Sequence, residues 1–244
     1  MNLDYQAIIV NENEKGLPSG QGNGILIDSD RGIVSTVAHG LKRGSKCKVF
    51  LKDGAYNATF QHDAVDWRMD MALVTLEDIG DKLLPSPPAT ADSRDGDEII
   101  IPGFLPREDS DEVGILRSYY NLNISKEICP ASVKGKIVEM HQSLARMGLD
   151  AFFEEMAGFE QTGVPLEKTR LFYNDYIILE IEGLDQQMAT GLSGSPVVDT
   201  KGEIVGIFSI ILNDGSFNMG AAIPIAEAKR LVSAFIDSHQ KKSD

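Results

Sequence analysis

The chain has 244 residues, a net charge of −14, 42% hydrophobic and 25% charged residues, and two cysteines. That size and apolar content support a real core, as one large all-β domain or two small barrels. So anionic a chain argues against nucleic-acid or acidic-membrane partners, and no basic cluster exceeds Lys241-Lys242. Two cysteines exclude a disulfide-dense scaffold; Cys47 and Cys129 leave room for one bridge but are expected as reduced thiols, and no Cys-x-x-Cys metal spacing exists.

The opening Met-Asn-Leu-Asp-Tyr lacks the basic and apolar regions of a signal peptide, and no apolar run approaches the roughly 18 residues of a membrane span. If this is the native start, a cytoplasmic location is expected; a mature form would look the same.

In chain order, Gly24–Ile27 and Ile33–Thr36 flank an Asp/Gly turn and predict a hairpin. Lys48–Lys52 and Tyr56–Gln61 around Asp53-Gly54 predict a second, and Ala72–Leu76 suits a buried strand. Pro85 to Ser93, rich in proline and small polar residues, marks a candidate boundary. Glu98–Ile101 opens the second half, and Arg107–Glu112 reads as a solvated loop. Met140, Leu144, Met147, Phe152 and Met156 recur at near-helical spacing, which predicts a helical insertion at about 139–158. Strand patterns return at Tyr176–Ile181, Ser195–Val198, Ile204–Ile211 and Gly220–Ile223. A closing helix follows, with Pro224 in its first turn and Ala228, Leu231, Val232, Phe235 and Ile236 on one face.

Three segments carry chemistry: Thr36-Val37-Ala38-His39, Asp70-Met71-Ala72-Leu73 and Gly191-Leu192-Ser193-Gly194-Ser195-Pro196. A serine hydroxyl needs an adjacent base to become a nucleophile at neutral pH, and imidazole suits that task. The imidazole needs an acceptor on its other nitrogen, and a carboxylate heading a buried strand supplies one. The attacked carbonyl becomes an oxyanion needing N–H donors, which a Gly-x-Ser-Gly turn can aim at one point. Each segment alone is weak; their order and apolar neighbours make them specific.

Together they resemble the Thr-Ala-Ala-His, Asp-(apolar)-Ala-Leu and Gly-x-Ser-Gly-Gly-Pro signatures of trypsin-like serine proteases. Gly24–Asp28, Gly96-Asp97-Glu98 and Gly220–Pro224 add a resemblance to the bacterial HtrA-like branch. The resemblance implies an all-β fold of two six-stranded antiparallel barrels. Residues 1–90 would form the first, and 91–244 the second with the insertion and the closing helix. It also implies a serine endopeptidase acting on polypeptides through an acyl-enzyme, with no cofactor or metal. His39, Asp70 and Ser193 would form the catalytic triad, and the N–H groups of Gly191 and Ser193 the oxyanion hole. Gln187 would floor a neutral substrate pocket walled by Ser209, Ile210, Ile211, Gly220 and Ala221.

Ser195 stands at the family's second glycine and is read as supporting the turn rather than reacting. Asp63 and Asp66 do not head a buried strand; His62 reads as a surface residue, and His141 and His239 lack a matching serine. Leu192 occupies the position where digestive trypsins carry an aspartate that pairs with a newly cut N-terminus, so no such activation is expected. Ordering of residues 184–190, with the insertion or a regulatory protein partner, is the expected control. No PDZ-like segment follows the closing helix, which leaves a stand-alone peptidase or one module of a larger parent chain. Two other readings stay open: a weak or inactive protease-fold binding module, and an esterase-type serine hydrolase.

Overall fold

The computed structural model describes residues 4–13, 15–16, 18–41, 46–67, 69–87, 89–106, 128–138, 176–183, 191–213 and 218–241. Strands β1 (Gln6–Glu12), β2 (Pro18–Asp28), β3 (Ile33–Val37), β4 (Lys46–Leu51), β5 (Gly54–Asp66) and β6 (Met71–Leu76) close into one antiparallel barrel in the order β1-β2-β3-β6-β5-β4. Strands β7 (Glu98–Pro106), β8 (Ile128–Ile137), β9 (Ile177–Ile181), β10 (Pro196–Asp199), β11 (Ile204–Asn213) and β12 (Asn218–Pro224) close a second. Its order, β7-β8-β9-β12-β11-β10, repeats the winding of the first. The expected insertion at 139–158 and the loop 107–112 lie outside the described residues.

Both expected hairpins of the first barrel form, as β2–β3 and β4–β5. Strand β1, not among the strands expected above, closes the barrel by pairing with both β2 and β4. Its signal was the β-rich run Ala7-Ile8-Ile9-Val10, all buried. Inward residues such as Ile9, Leu26, Val34, Val49, Phe60 and Val74 fill the first barrel, and the same cluster runs on into Val198, Ile204, Ile207 and Ile223 of the second. Apolar burial is therefore continuous across the junction, the main force holding the barrels together.

The connecting segment is pinned as well. Ala89 O accepts from Ile204 N at 2.9 Å and Ala91 N donates to Ile204 O at 3.0 Å. Helix α1 (Ile225–Gln240) starts one residue later than expected, because Pro224 ends β12 with φ −56° and ψ 138° and takes the N-cap position. Ala228 and Val232 are buried, and Val232 packs with Ile33, Ala64 and Leu73 of the first barrel. Helix α1 thus packs back onto the first barrel.

The second barrel's core includes Leu192, fully buried beside Ile101, Leu179, Val197 and Phe208. Space for it comes from Gly103 on β7, where a Cβ would overlap Leu192 Cδ2 and approach Ser195 Oγ to 2.7 Å. Gly103→Ala is therefore expected to destabilise the fold by about 1–3 kcal/mol through overpacking. Thermal unfolding should show a fall in Tm of roughly 2–4 °C per kcal/mol; an unchanged Tm would show that Leu192 is not held there.

Candidate active site

Register builds the first half of the site. Strands β3 and β6 pair Val37 with Met71, and the next step sets Ala38 against Asp70, with Ala38 N donating to Asp70 O at 2.9 Å. Asp70 ends a tight turn in which Met69 N donates to Asp66 O at 3.2 Å. Its φ of 50° lies in the left-handed region, which aspartate tolerates better than most residues. This conformation turns the carboxylate back toward His39.

Asp70 is 1% exposed and its two oxygens are fully engaged. Oδ1 accepts the His39 backbone N–H at 2.9 Å, and Oδ2 lies 2.7 Å from His39 Nδ1. Oδ2 also accepts the Ser209 hydroxyl at 2.7 Å. Since a carboxylate offers only acceptors, Nδ1 carries the proton and Nε2 remains the basic nitrogen. Burial lowers the His39 pKa, but the hydrogen bond and charge of Asp70 outweigh it and leave the imidazole above its ordinary 6.5.

Ser209 reaches Asp70 because of a bulge. Strands β11 and β12 pair Phe208 with Ala222 and Ile210 with Ala221, which leaves Ser209 as the extra residue. A bulge re-aims the side chain it carries. Its carbonyl meanwhile accepts the Ser193 hydroxyl at 3.0 Å. Ser209 thus touches both the carboxylate and the candidate nucleophile, a contact that its place as an expected pocket wall did not reveal.

Ser193 sits in the turn between β9 and β10. Ser195 N donates to Leu192 O at 2.9 Å, closing the turn, and Gly194 N donates to Phe208 O at 2.8 Å. Gly194 has φ +86°, and a Cβ there would overlap Asn23 O, so only glycine fits. Ser193 and His39 line one cavity of about 100 Å³ with Ile9, Asn11, Thr36 and Leu41. A larger hollow of about 740 Å³ over β7–β9, among Glu98, Lys134, Lys136 and Glu180, includes neither.

The remaining expected residues divide three ways. Gly220 pairs with Ile211, and Ala221 is fully buried opposite Ile210. Gln187 and His141 lie outside the described residues, as do the side chains of Ile210 and Ile211. Asp66 meets Arg230 at 3.4 Å, and Asp63 lies 3.9 Å from His239 Nε2, so both carboxylates face α1. His62 is exposed and packs edge-on against Phe60. Cys47 is a free, buried thiol; burial, then the charges of Glu12 and Glu77, push it up to about 12, so it is no nucleophile at neutral pH. Ser195 is fully buried, and its hydroxyl has no hydrogen-bond partner among the described residues. Asn23, which no motif singled out, is fully buried against the Ser193 turn.

A model of the trypsin-like peptidase domain matches residues 22–207. A putative serine protease HhoA from Synechocystis sp. is 27% identical over 216 residues, covering 87% of this chain and 42% of that protein. A probable periplasmic serine endoprotease, DegP-like, from Buchnera aphidicola subsp. Baizongia pistaciae is 24% identical over 229 residues, covering 91% of this chain and 38% of the other. The chain thus spans about two fifths of these relatives, at 42% and 38% of their lengths. With two like-wound six-stranded barrels and a family match running from β2 into β11, the chain belongs to the trypsin-like peptidase family.

Proposed function

We propose that the chain is a serine endopeptidase with Ser193 as nucleophile, His39 as general base and Asp70 as the group that orients His39. The observation that carries this reading is the buried Asp70 carboxylate, bonded to His39 Nδ1 at 2.7 Å while His39 shares a cavity with Ser193. The names of the two relatives point to the same chemistry. Polypeptides are the substrate class.

Ser193 Oγ attacks the scissile carbonyl carbon while its proton passes to His39 Nε2. The hydroxyl now donates to Ser209 O, so it must turn from that carbonyl toward the imidazole as substrate binds. The new imidazolium is stabilised by Asp70. The N–H groups of Gly191 and Ser193 receive the oxyanion. His39 then protonates the leaving amine, and the acyl-enzyme is hydrolysed by water through the same two proton transfers. Leu192 anchors the turn by burial, which suits a chain that needs no cut N-terminus.

The serine assignment is tested by a fluorophosphonate probe on the uncut protein. Label should enter the wild type and Ser195→Ala but not Ser193→Ala, and a requirement for N-terminal cleavage would contradict the Leu192 argument. Because the Ser195 hydroxyl is buried with no hydrogen-bond partner among the described residues, Ser195→Ala should leave Tm unchanged or raise it. Casein cleavage by the labelled species' active form separates peptidase from esterase. Absence of label from intact wild type under all conditions would favour a binding module, the reading that the Ser193–Ser209 contact otherwise supports.

The pH dependence follows from His39. Its folded pKa is raised, so its stabilising effect is present below the unfolded value near 6.5 and disappears as pH rises through the folded one. Activity runs the other way, since the base must be neutral. kcat/KM should rise with pH through a titration above 6.5. Asp70→Asn removes both raising causes and leaves burial. The limb should move to lower pH, with activity reduced about 10³–10⁴-fold. An unmoved limb would assign the titration to another group.

A further inference from the structure

The first barrel grips the nucleophile turn through Asn23 of β2. Asn23 Nδ2 donates to Gly191 O at 2.5 Å and to Phe104 O at 3.4 Å. Oδ1 accepts Phe104 N–H at 2.9 Å. The Asn23 backbone N–H donates to Ser193 O at 3.1 Å. Its carbonyl accepts the Thr36 hydroxyl at 2.6 Å and lies directly against Gly194. One residue therefore contacts three positions of the turn, a strand of the other barrel, and the strand leading to His39.

The reason such a residue is needed lies in β7. Strand β10 pairs with β7 only at Ile99 and Ile100, so the edge from Pro102 to Phe104 runs on past its neighbour. Buried backbone groups must find partners, and side-chain amides of the first barrel supply them. Gln6 Nε2 takes Pro102 O at 2.8 Å, and Gln21 Nε2 joins Asn23 at Phe104 O at 3.3 Å. Asn23 behaves there like the peptide group of a missing strand, with its other face turned to Gly191.

We propose that Asn23 is a positioning residue for the oxyanion donors, coupling the docking of the two barrels to the backbone orientation of Gly191–Ser193. This rests on the serine-peptidase reading above. Gly191 has no Cβ to limit its rotation, so its orientation must be imposed from outside. Asn23 holds the carbonyls on both sides of Leu192, and Leu192 itself is locked in the core. The turn then has few ways to swing its N–H groups off the oxyanion. The chemistry demands a carboxamide. Aspartate retains the acceptor for Phe104 N–H but offers no donor to Gly191 O, and serine is too short to reach it. Gln6 is a built-in control, because it bridges the barrels at Pro102 without a described contact to the turn.

Wild type, Asn23→Asp, Asn23→Ser and Gln6→Met should be compared by backbone hydrogen exchange over 191–195, fluorophosphonate acylation rate, and kcat and KM on a peptide. Both Asn23 variants should exchange about 10-fold faster in the turn and acylate about 10–100-fold more slowly, with kcat falling and KM within about threefold. Gln6→Met should lower Tm yet acylate within about threefold of wild type. Unchanged exchange in folded Asn23 variants, a defect confined to KM, or the same kcat loss in Gln6→Met would overturn the proposal. If neither Asn23 variant folds, the wild-type Asn23 side-chain amide decides, since exchange at solvent rates would rule out the latch. Failure of wild type to acylate would sink the peptidase reading, while the exchange measurements would still judge the positioning.

Discussion

The Asp70 carboxylate cannot lie buried without partners for both oxygens, and those partners come from the two barrels. His39 supplies its backbone N–H and Nδ1 from the first, and Ser209 supplies its hydroxyl from the second. An unpaired carboxylate at that depth would cost several kcal/mol; His39 engages both oxygens, and docking of the second barrel adds the Ser209 hydroxyl as a third partner. The same contacts orient the imidazole. The demands of the fold and of the proposed chemistry therefore fall on one group.

The turn bearing Ser193 obeys a second constraint, tight packing. Leu192 is anchored in the core through the space left by Gly103, and Gly194 presses on the Asn23 carbonyl. Two missing Cβ atoms thus let a side chain and a neighbouring backbone approach closely. Where an ion pair orders the corresponding turn in digestive trypsins, apolar burial takes that place here. Ser195, where the family pattern has glycine, spends its side chain beside Gly103 with no hydrogen-bond partner among the described residues.

The two barrels share a winding but divide the work. Barrel one provides His39 and Asp70 together with the amides of Gln6, Gln21 and Asn23; barrel two provides the Ser193 turn, the Ser209 bulge and the β7 edge that those amides satisfy. Helix α1 then ties the chain's end back to the first barrel through Val232 and Arg230. A site placed between two bodies is sensitive to anything that alters their docking, and in the proposal above Asn23 is where that sensitivity meets the Ser193 turn.

The three candidate segments were legible because each sets a particular residue type beside particular neighbours: a histidine after a buried strand, an aspartate before one, and a serine between turn-forming glycines. The hairpins and α1 were legible for the same local reason, since alternation, turn residues and helical spacing are written in consecutive positions. Strand β1 carries a plain apolar run, Ala7–Val10, but only barrel closure shows which strands flank it. Asn23, between Gly22 and Gly24, belongs to none of the motifs, and Ser209 reads only as a pocket wall. Which groups they touch depends on barrel docking and on a one-residue bulge in β11, features that shift a side chain by whole ångströms without changing the local pattern. Sequence alone thus determined the kind of fold and the residue types of the candidate site. Tertiary structure decided which distant polar groups hold them, because hydrogen bonds between positions more than a hundred residues apart, such as Ser209 to Asp70 and Asn23 to Gly191, are set by closure and register.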